Sequence, residues 1–233
     1  MSFYSDWETK KNTDEELKYM NDFLMIIPES VEVFHCGTNS EIAKAVEIIN
    51  SVTIEEYIYL IDKFNFDEDV VGNQVPQFSN FNDGAYRIPE LLEFEPAGLS
   101  FEKLGYQLVK SPTEGAGIKY GENHSKLANM MELVEITKRP SNVVSTALGR
   151  YLVSFLPEEK KAVLKRLLLR QYLVQKIISG AAEGIFCYRD AVSKLSKATA
   201  IRRRNNVRKV LEYILCGTEE EIRLNRINWQ VEE

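Results

Sequence analysis

The chain has 233 residues, 44% of them hydrophobic and 27% charged, with a formal net charge of −6 at pH 7. That composition suits a globular chain with a substantial core. Its apolar-leaning runs near 23–27 and 167–178 are short or broken by Arg170, Gln171 and Lys176, which excludes a bilayer-spanning helix of about 20 apolar residues. The opening "MSFYSDWETKKNTDEE" lacks the apolar core of a secretory signal, so a cytoplasmic location and no membrane partner are expected.

In chain order, residues 1–22 read as a polar arm or short helix. "NSEIAKAVEIINS" from Asn39 places Ile42, Ala45, Val46 and Ile49 on one helical face. A second helix follows from Thr53, with Thr53 as its cap and Glu56 at the reciprocal capping position. Two short helices with a tight join suggest a degenerate helix-turn-helix. Residues 71–83, "VGNQVPQFSNFND", read as loop, and a boundary is expected near 96–98.

Beyond that boundary, Ser100 caps a short helix with Phe101, Leu104 and Leu108 on one face. Residues 113–120 read as a weaker helix, because Gly115 and Gly117 each cost about 1 kcal/mol against Ala. Gly121 reads as a turn, and 123–132 as a third helix with Leu127, Met130 and Met131 inward. Two short strands, 134–136 and 142–146, flank the tip "TKRPS". Pro157 restarts a long helix through 178, with Lys160, Lys161, Lys165, Arg166, Arg170 and Lys176 expected outside. Two further helices follow, the last capped by Ser196 or Thr199, with Ile201, Val207, Val210, Leu211 and Ile214 as its apolar stripe. The expected fold is mainly α, built of winged helix-turn-helix units with a small β-wing. The expected segments are 1–95, acidic and helical; 96–157, a winged-helix domain; and 158–233, a basic helix-turn-helix region.

Charge divides the chain unevenly. Residues 1–100 carry 20 acidic and 6 basic side chains, a balance of −14, and residues 101–233 carry 15 and 23, a balance of +8. A polyanion responds to the local field, so the second half is the candidate for nucleic acid. A helix in the major groove presents polar side chains to base edges while a wing grips phosphate. Asn123, His124, Lys126 and Asn129 are the expected base readers. Lys138 and Arg139 at the hairpin tip are expected on phosphate or in the minor groove. "IRRRNNVRK" from Ile201 adds five cations and two Asn within nine positions, with no carboxylate before Glu212. Arg202, Arg203, Asn205, Asn206 and Lys209 lie largely off the apolar stripe there, and Arg204 sits nearer it.

Three segments together carry a resemblance: "KYGENHSKLANMMELVEI" from Lys119, "VSTALGRYL" from Val144, and "LSKATAIRRRNNVRKVLEYIL" from Leu195. Over roughly 96–215 the chain resembles the tandem winged-helix target-recognition regions of bacterial restriction–modification and related defence proteins. The Thr-x-x-Gly opening of a helix, here Thr146 to Gly149, and an Arg-Arg segment in the final helix belong to that likeness. It implies sequence-specific binding of double-stranded DNA, as the recognition part of a defence system or as a regulator. A separate catalytic subunit and a two-fold dimer are compatible partners.

Catalytic constellations are not expected. The spacing Glu-x-Lys at Glu16–Lys18 and Glu158–Lys160 falls in helix-like or arm-like sequence without a strand carboxylate upstream. Cys36, Cys187 and Cys216 are widely spaced, and His35–Cys36 has no second ligand pair at metal spacing, so neither metal nor cofactor is expected. Two other readings stand beside DNA binding. One is a non-catalytic interaction subunit whose basic face binds an acidic partner or the chain's own first half. The other is a metal-dependent nuclease with an unfamiliar site.

Overall fold

Two successive helices open with the same reciprocal cap. In α2 (Asn39–Asn50) the Glu41 carboxylate accepts from the Thr38 N–H at 2.8 Å while Thr38 Oγ1 accepts from Glu41 N. In α3 (Ile54–Ile61) Thr53 and Glu56 repeat the arrangement, also with a 2.8 Å bond to the cap N–H. Each cap satisfies two backbone donors that a helix start leaves unpaired. Helix α2 buries Ile42, Ala45, Val46 and Ile49, the stripe its spacing predicts. The structure, a computed structural model, describes residues 24, 28–110, 112–138 and 141–231. Before α2 lies α1 (Pro28–Cys36). The chain is mainly helical with a small sheet.

The basic half supplies the other wall of this bundle. Helices α8 (Pro157–Leu169) and α9 (Tyr172–Gly180) pack on α2 and α3. Sequence reading expects one helix here, and the chain breaks it at Arg170–Gln171 instead. Both side chains turn to the end of another helix: Gln171 Nε2 donates to the Met130 carbonyl at 2.5 Å, and Arg170 lies 3.1 Å from the Glu132 carboxylate. Three of the six cations expected outside are in fact buried. Arg170 is 1% exposed, over the Phe34 ring; Arg166 donates to the Val52 carbonyl at 2.6 and 2.9 Å; Lys160 lies 5.2 Å from the centre of the Tyr86 ring. Long side chains bury their stems readily when the charged end meets a carbonyl or an aromatic face.

Between these two helix pairs in the chain, residues 81–145 form a helix–strand–helix–helix–strand–strand run. A helix over 81–92 contains a π-helical stretch, Asp83–Arg87, and continues as α4 (Ile88–Leu92). Then come β1 (Leu99–Ser100), α5 (Phe101–Leu108), α6 (Glu114–Met130), β2 (Val134–Ile136) and β3 (Asn142–Ser145). The sheet order is β1-β3-β2, antiparallel throughout, with Leu99 opposite Val143 and Val134 opposite Ser145. Gly98, at φ 76, feeds β1; a Cβ there would stand 2.5 Å from the Val143 carbonyl oxygen. The 81–87 helix and the two-residue β1 are not expected from the sequence, because neither has a local pattern long enough to show there.

One expected turn is absent. Gly121 lies inside α6, a single helix of 17 residues rather than two short ones. A Cβ at Gly121 would stand 2.0 Å from the Phe101 carbonyl oxygen, and one at Gly105 would stand 1.9 Å from that of Gly117. The glycines let α5 and α6 touch backbone to backbone, the other reason a chain uses glycine inside a helix. Gly84 brings the 81–92 helix close to α6 as well, since a Cβ there would stand 2.8 Å from the Leu127 side chain and 2.9 Å from the His124 carbonyl oxygen.

After β3, α7 (Ala147–Val153) begins at the Thr-x-x-Gly opening. Thr146 Oγ1 accepts from the Gly149 N–H at 2.9 Å and donates to the Glu132 carbonyl at 2.7 Å. A Cβ on Gly149 would meet the Leu133 carbonyl oxygen at 2.0 Å. One threonine thus caps α7 and ties it to the residue that leaves α6. Beyond α9 lie β4 (Phe186–Cys187), α10 (Tyr188–Ala191), α11 (Lys197–Leu215), α12 (Ile222–Asn225) and β5 (Ile227–Asn228), with β4 and β5 paired in parallel. Ser196 caps α11 as expected. Its stripe is Val207, Val210, Leu211 and Ile214 with Ala200 in place of Ile201, which is 44% exposed. Buried side chains from Leu24 to Ile227 form one cluster through all three segments drawn from composition. Among the described residues no helix is long and apolar enough to cross a membrane.

Candidate nucleic-acid interface

The outward face of α6 follows from what its inward face must touch. Gly117, Gly121, His124, Ser125, Leu127 and Ala128 are buried. Lys119, Glu122, Asn123 and Lys126 are left facing out, with Asn123 and Glu122 half-buried. Glu122 bridges two turns, 3.1 Å from Lys119 Nζ and 2.5 Å from Lys126 Nζ. The hydrogen bond from Lys126, before any other influence, holds the Glu122 carboxyl below its ordinary range. The face therefore carries a Lys–Glu–Lys ladder at i, i+3 and i, i+4 spacing.

His124 is not on that face, which corrects its expected role. It is 1% exposed and stacked on Tyr120 at 3.9 Å. Nδ1 donates to the Tyr120 carbonyl at 2.8 Å, and Nε2 accepts from the N–H groups of Asn80 at 3.2 Å and Ser79 at 3.4 Å. That pattern requires the neutral Nδ1–H tautomer. Burial, the largest influence, pushes the imidazole below its ordinary value, so the ring is a neutral clasp on the 79–80 backbone. Tyr120 hands its hydroxyl to Asp83 at 2.6 Å, and Asp83, 2% exposed, pairs with Arg87 at 3.1 Å. Burial first, then the bond to Asp83, raises the Tyr120 hydroxyl above its usual range. Arg87 continues to the carbonyls of Gln107 and Leu108, both at 3.3 Å, so this network fixes the end of α5 against α6.

Asn129 is exposed, but its amide nitrogen donates to the Val134 carbonyl at 2.8 Å and holds β2. That donor is thereby withdrawn from base reading. At the end of α6, Glu132 takes φ 59, a conformation rare for residues other than Gly, Asn or Asp, and its carboxylate meets buried Arg170. The β2–β3 tip is closed by Thr137, whose N–H donates to the Asn142 carbonyl at 2.9 Å while Oγ1 accepts from Asn142 N at 3.1 Å. Lys138 stands exposed on that tip. Arg139 lies outside the described residues.

Helix α11 splits the cluster assigned to it. Arg203 Nη1 donates to the carbonyls of Gly72 and, at 3.1 Å, Val75, and Asn206 Nδ2 reaches the Pro76 carbonyl at 3.5 Å. Both residues face the chain's own loop, which corrects their expected exposure. Arg204 donates to the Trp229 carbonyl at 3.2 Å, a backbone group and not a carboxylate. Arg202, Asn205 and Lys209 remain exposed. Three expected readers, His124, Arg203 and Asn206, are thus brought together after all: they fasten the two ends of one segment, 72–80.

The remaining candidates have other settings. Glu158, 87% exposed, and Lys160, 2% exposed, occupy one helix and lie apart in environment; Glu16 and Lys18 lie outside the described residues. His35 Nδ1 is 3.7 Å from Glu135 on β2, and Cys36 donates to the Glu32 carbonyl. Among the described residues no three His, Cys, Asp or Glu side chains gather as a metal site. No family model, no curated protein and no solved structure matches the chain.

Proposed function

We propose that residues 81–145 form a winged helix and that the protein binds double-stranded DNA sequence-specifically, with α6 in the major groove and the 137–141 tip as its wing. The observation that carries this reading is the order helix, β1, α5, α6, β2, tip, β3, with β1 paired to β3 and a polar outer face left on α6. Helix α6 is then the reader: Lys119 and Lys126 suit guanine O6 and N7 or phosphate, Asn123 suits adenine, and Glu122 suits the amino group of cytosine. Lys138 grips phosphate. The activity is recognition without catalysis, as the specificity part of a defence system or as a regulator.

The rival use of the basic half, docking on the acidic half, accounts for a separate set of cations. Arg223 pairs with Asp62 at 2.7 Å, Lys194 with Asp69 at 3.5 Å, and Lys176 donates to the Glu68 carbonyl at 2.8 Å. Those groups are spent inside the chain. Lys119 and Lys126 instead share Glu122 of their own helix, and Lys138 is exposed on the tip.

The test is selection from a random duplex library with the full chain. Recovery of one motif, altered by Lys126→Ala and Asn123→Ala, supports the reading. No enrichment and no retention at low salt sinks it.

A further inference from the structure

We infer that α11 carries a second nucleic-acid contact, a sequence-independent grip on the duplex backbone made by Arg202, Asn205 and Lys209. It rests on the duplex-binding reading above and assigns affinity and sequence choice to different helices.

The spacing of 3 and 4 residues puts the three side chains on one face, and all three are exposed. The stripe runs about 10 Å along the axis at about 1.5 Å per residue. Intrahelical relief is missing on this face. The positions three and four residues from Arg202 are Ala198, Thr199, Asn205 and Asn206; those from Lys209 are Asn205, Asn206, Glu212 and Tyr213. Glu212 is committed to Arg208 at 2.8 Å. Among the described residues neither Arg202 nor Lys209 has an ion-pair partner. The first turn of α11 also has no acidic residue. On α6, by contrast, each outward lysine has Glu122.

The chemistry of the stripe fits phosphate better than a protein surface. Protein contacts concentrate their energy in buried Trp, Tyr and Arg anchors in desolvated pockets and are poor in Lys. This stripe offers two cations with a neutral amide donor between them and no aromatic group. Each strand of a duplex carries one negative charge per about 3.4 Å of its axis, so about 10 Å of helix laid along one strand spans about three phosphates. Backbone contacts position a protein without reading sequence. Arg203 and Asn206, one residue inward, hold the stripe by anchoring α11 to the 72–76 backbone.

The experiment compares the unaltered full chain with Arg202→Ala/Lys209→Ala on two duplexes, the selected motif and a scrambled one, following affinity against salt. Both substituted side chains are exposed, so melting by circular dichroism should be unchanged. The expected result is a fall of about 2 in the slope of log affinity against log salt. The fall is the same on both duplexes, and their affinity ratio is unchanged. Arg202→Lys/Lys209→Arg, which keeps the charge, retains the original slope. An unchanged slope in the Ala variant overturns the α11 contact while leaving the α6 reading in place. A slope that falls in a protein with no motif preference keeps the α11 contact and overturns the α6 reading. No binding by the unaltered chain at low salt overturns both.

Discussion

Helices α6 and α11 are both long and carry outward cations, yet their charges meet different things. On α6 the glycine face is buried against α5, and the outward lysines share Glu122. On α11 the inward cations end on backbone carbonyls, while Arg202 and Lys209 are exposed and, among the described residues, pair with no carboxylate. A run of basic residues in a sequence therefore says little about where the charge goes. The discriminating feature is local: whether a carboxylate stands three or four residues away, and whether a carbonyl-rich loop lies within reach.

The largest effect that tests this contrast lies on the inward face of α6. Gly121→Ala should cost about 3 kcal/mol, because the new methyl meets the Phe101 backbone, which cannot step aside. Gly115→Ala, in the same helix with nothing within 4 Å, should instead add about 0.5 kcal/mol. Urea unfolding of the pair measures both, and equal responses would remove close packing as the reason for the glycines. A smaller effect separates the two faces of α11. Arg203→Ala should lose about 1.5 kcal/mol, since two carbonyls of the 72–75 backbone lose their donor. Arg202→Ala should change stability by less than about 0.5 kcal/mol. Were Arg202 the costlier of the two, the inward and outward assignments would have to be exchanged.

The smallest effect belongs to His124 and depends on pH. Its folded pKa lies below the unfolded value of about 6.5. Its contribution is therefore fully present above pH 6.5. As pH falls below 6.5 the unfolded chain takes a proton that the folded chain refuses, and stability drops until the folded pKa is passed. The loss is about 1.4 kcal/mol for each pH unit over which the unfolded chain alone holds the proton. Urea midpoints between pH 7.5 and 5.5 should fall more steeply for the unaltered chain than for His124→Gln. Parallel curves would mean that His124 is not the titrating clasp.

Local signals in the sequence located much of the fold. The Thr53–Glu56 cap, the α2 stripe, Ser100, Ser196 and the two strands of the tip all rest on contacts between residues a few positions apart, and all are found. Elements set by distant contacts were not legible. Gly121 reads as a turn until α5 is known to lie against it. His124 reads as a surface donor until the 79–80 backbone supplies two N–H groups. The break at Arg170–Gln171 makes sense only with the end of α6 in view. For α11, the sequence showed that cations lacked local partners but not which of them would turn inward. The signal was partial there: Asn206 and Arg203 sit closer to the Val207–Val210 stripe than Arg202 and Lys209 do.

If α6 and α11 both contact a duplex, as proposed, then segment 72–80, gripped at one end by α11 and at the other by α6, gives the molecule a property of multivalent binders. Two sites joined by a flexible tether see each other at a concentration that falls as the tether lengthens. Two sites braced against a common strut keep one fixed mutual distance. For a duplex that reaches both helices, the second contact forms without a further search, and each contact prolongs the life of the other. Loosening the strut at His124, Arg203 or Asn206 would then shorten residence on DNA without removing any group that touches it.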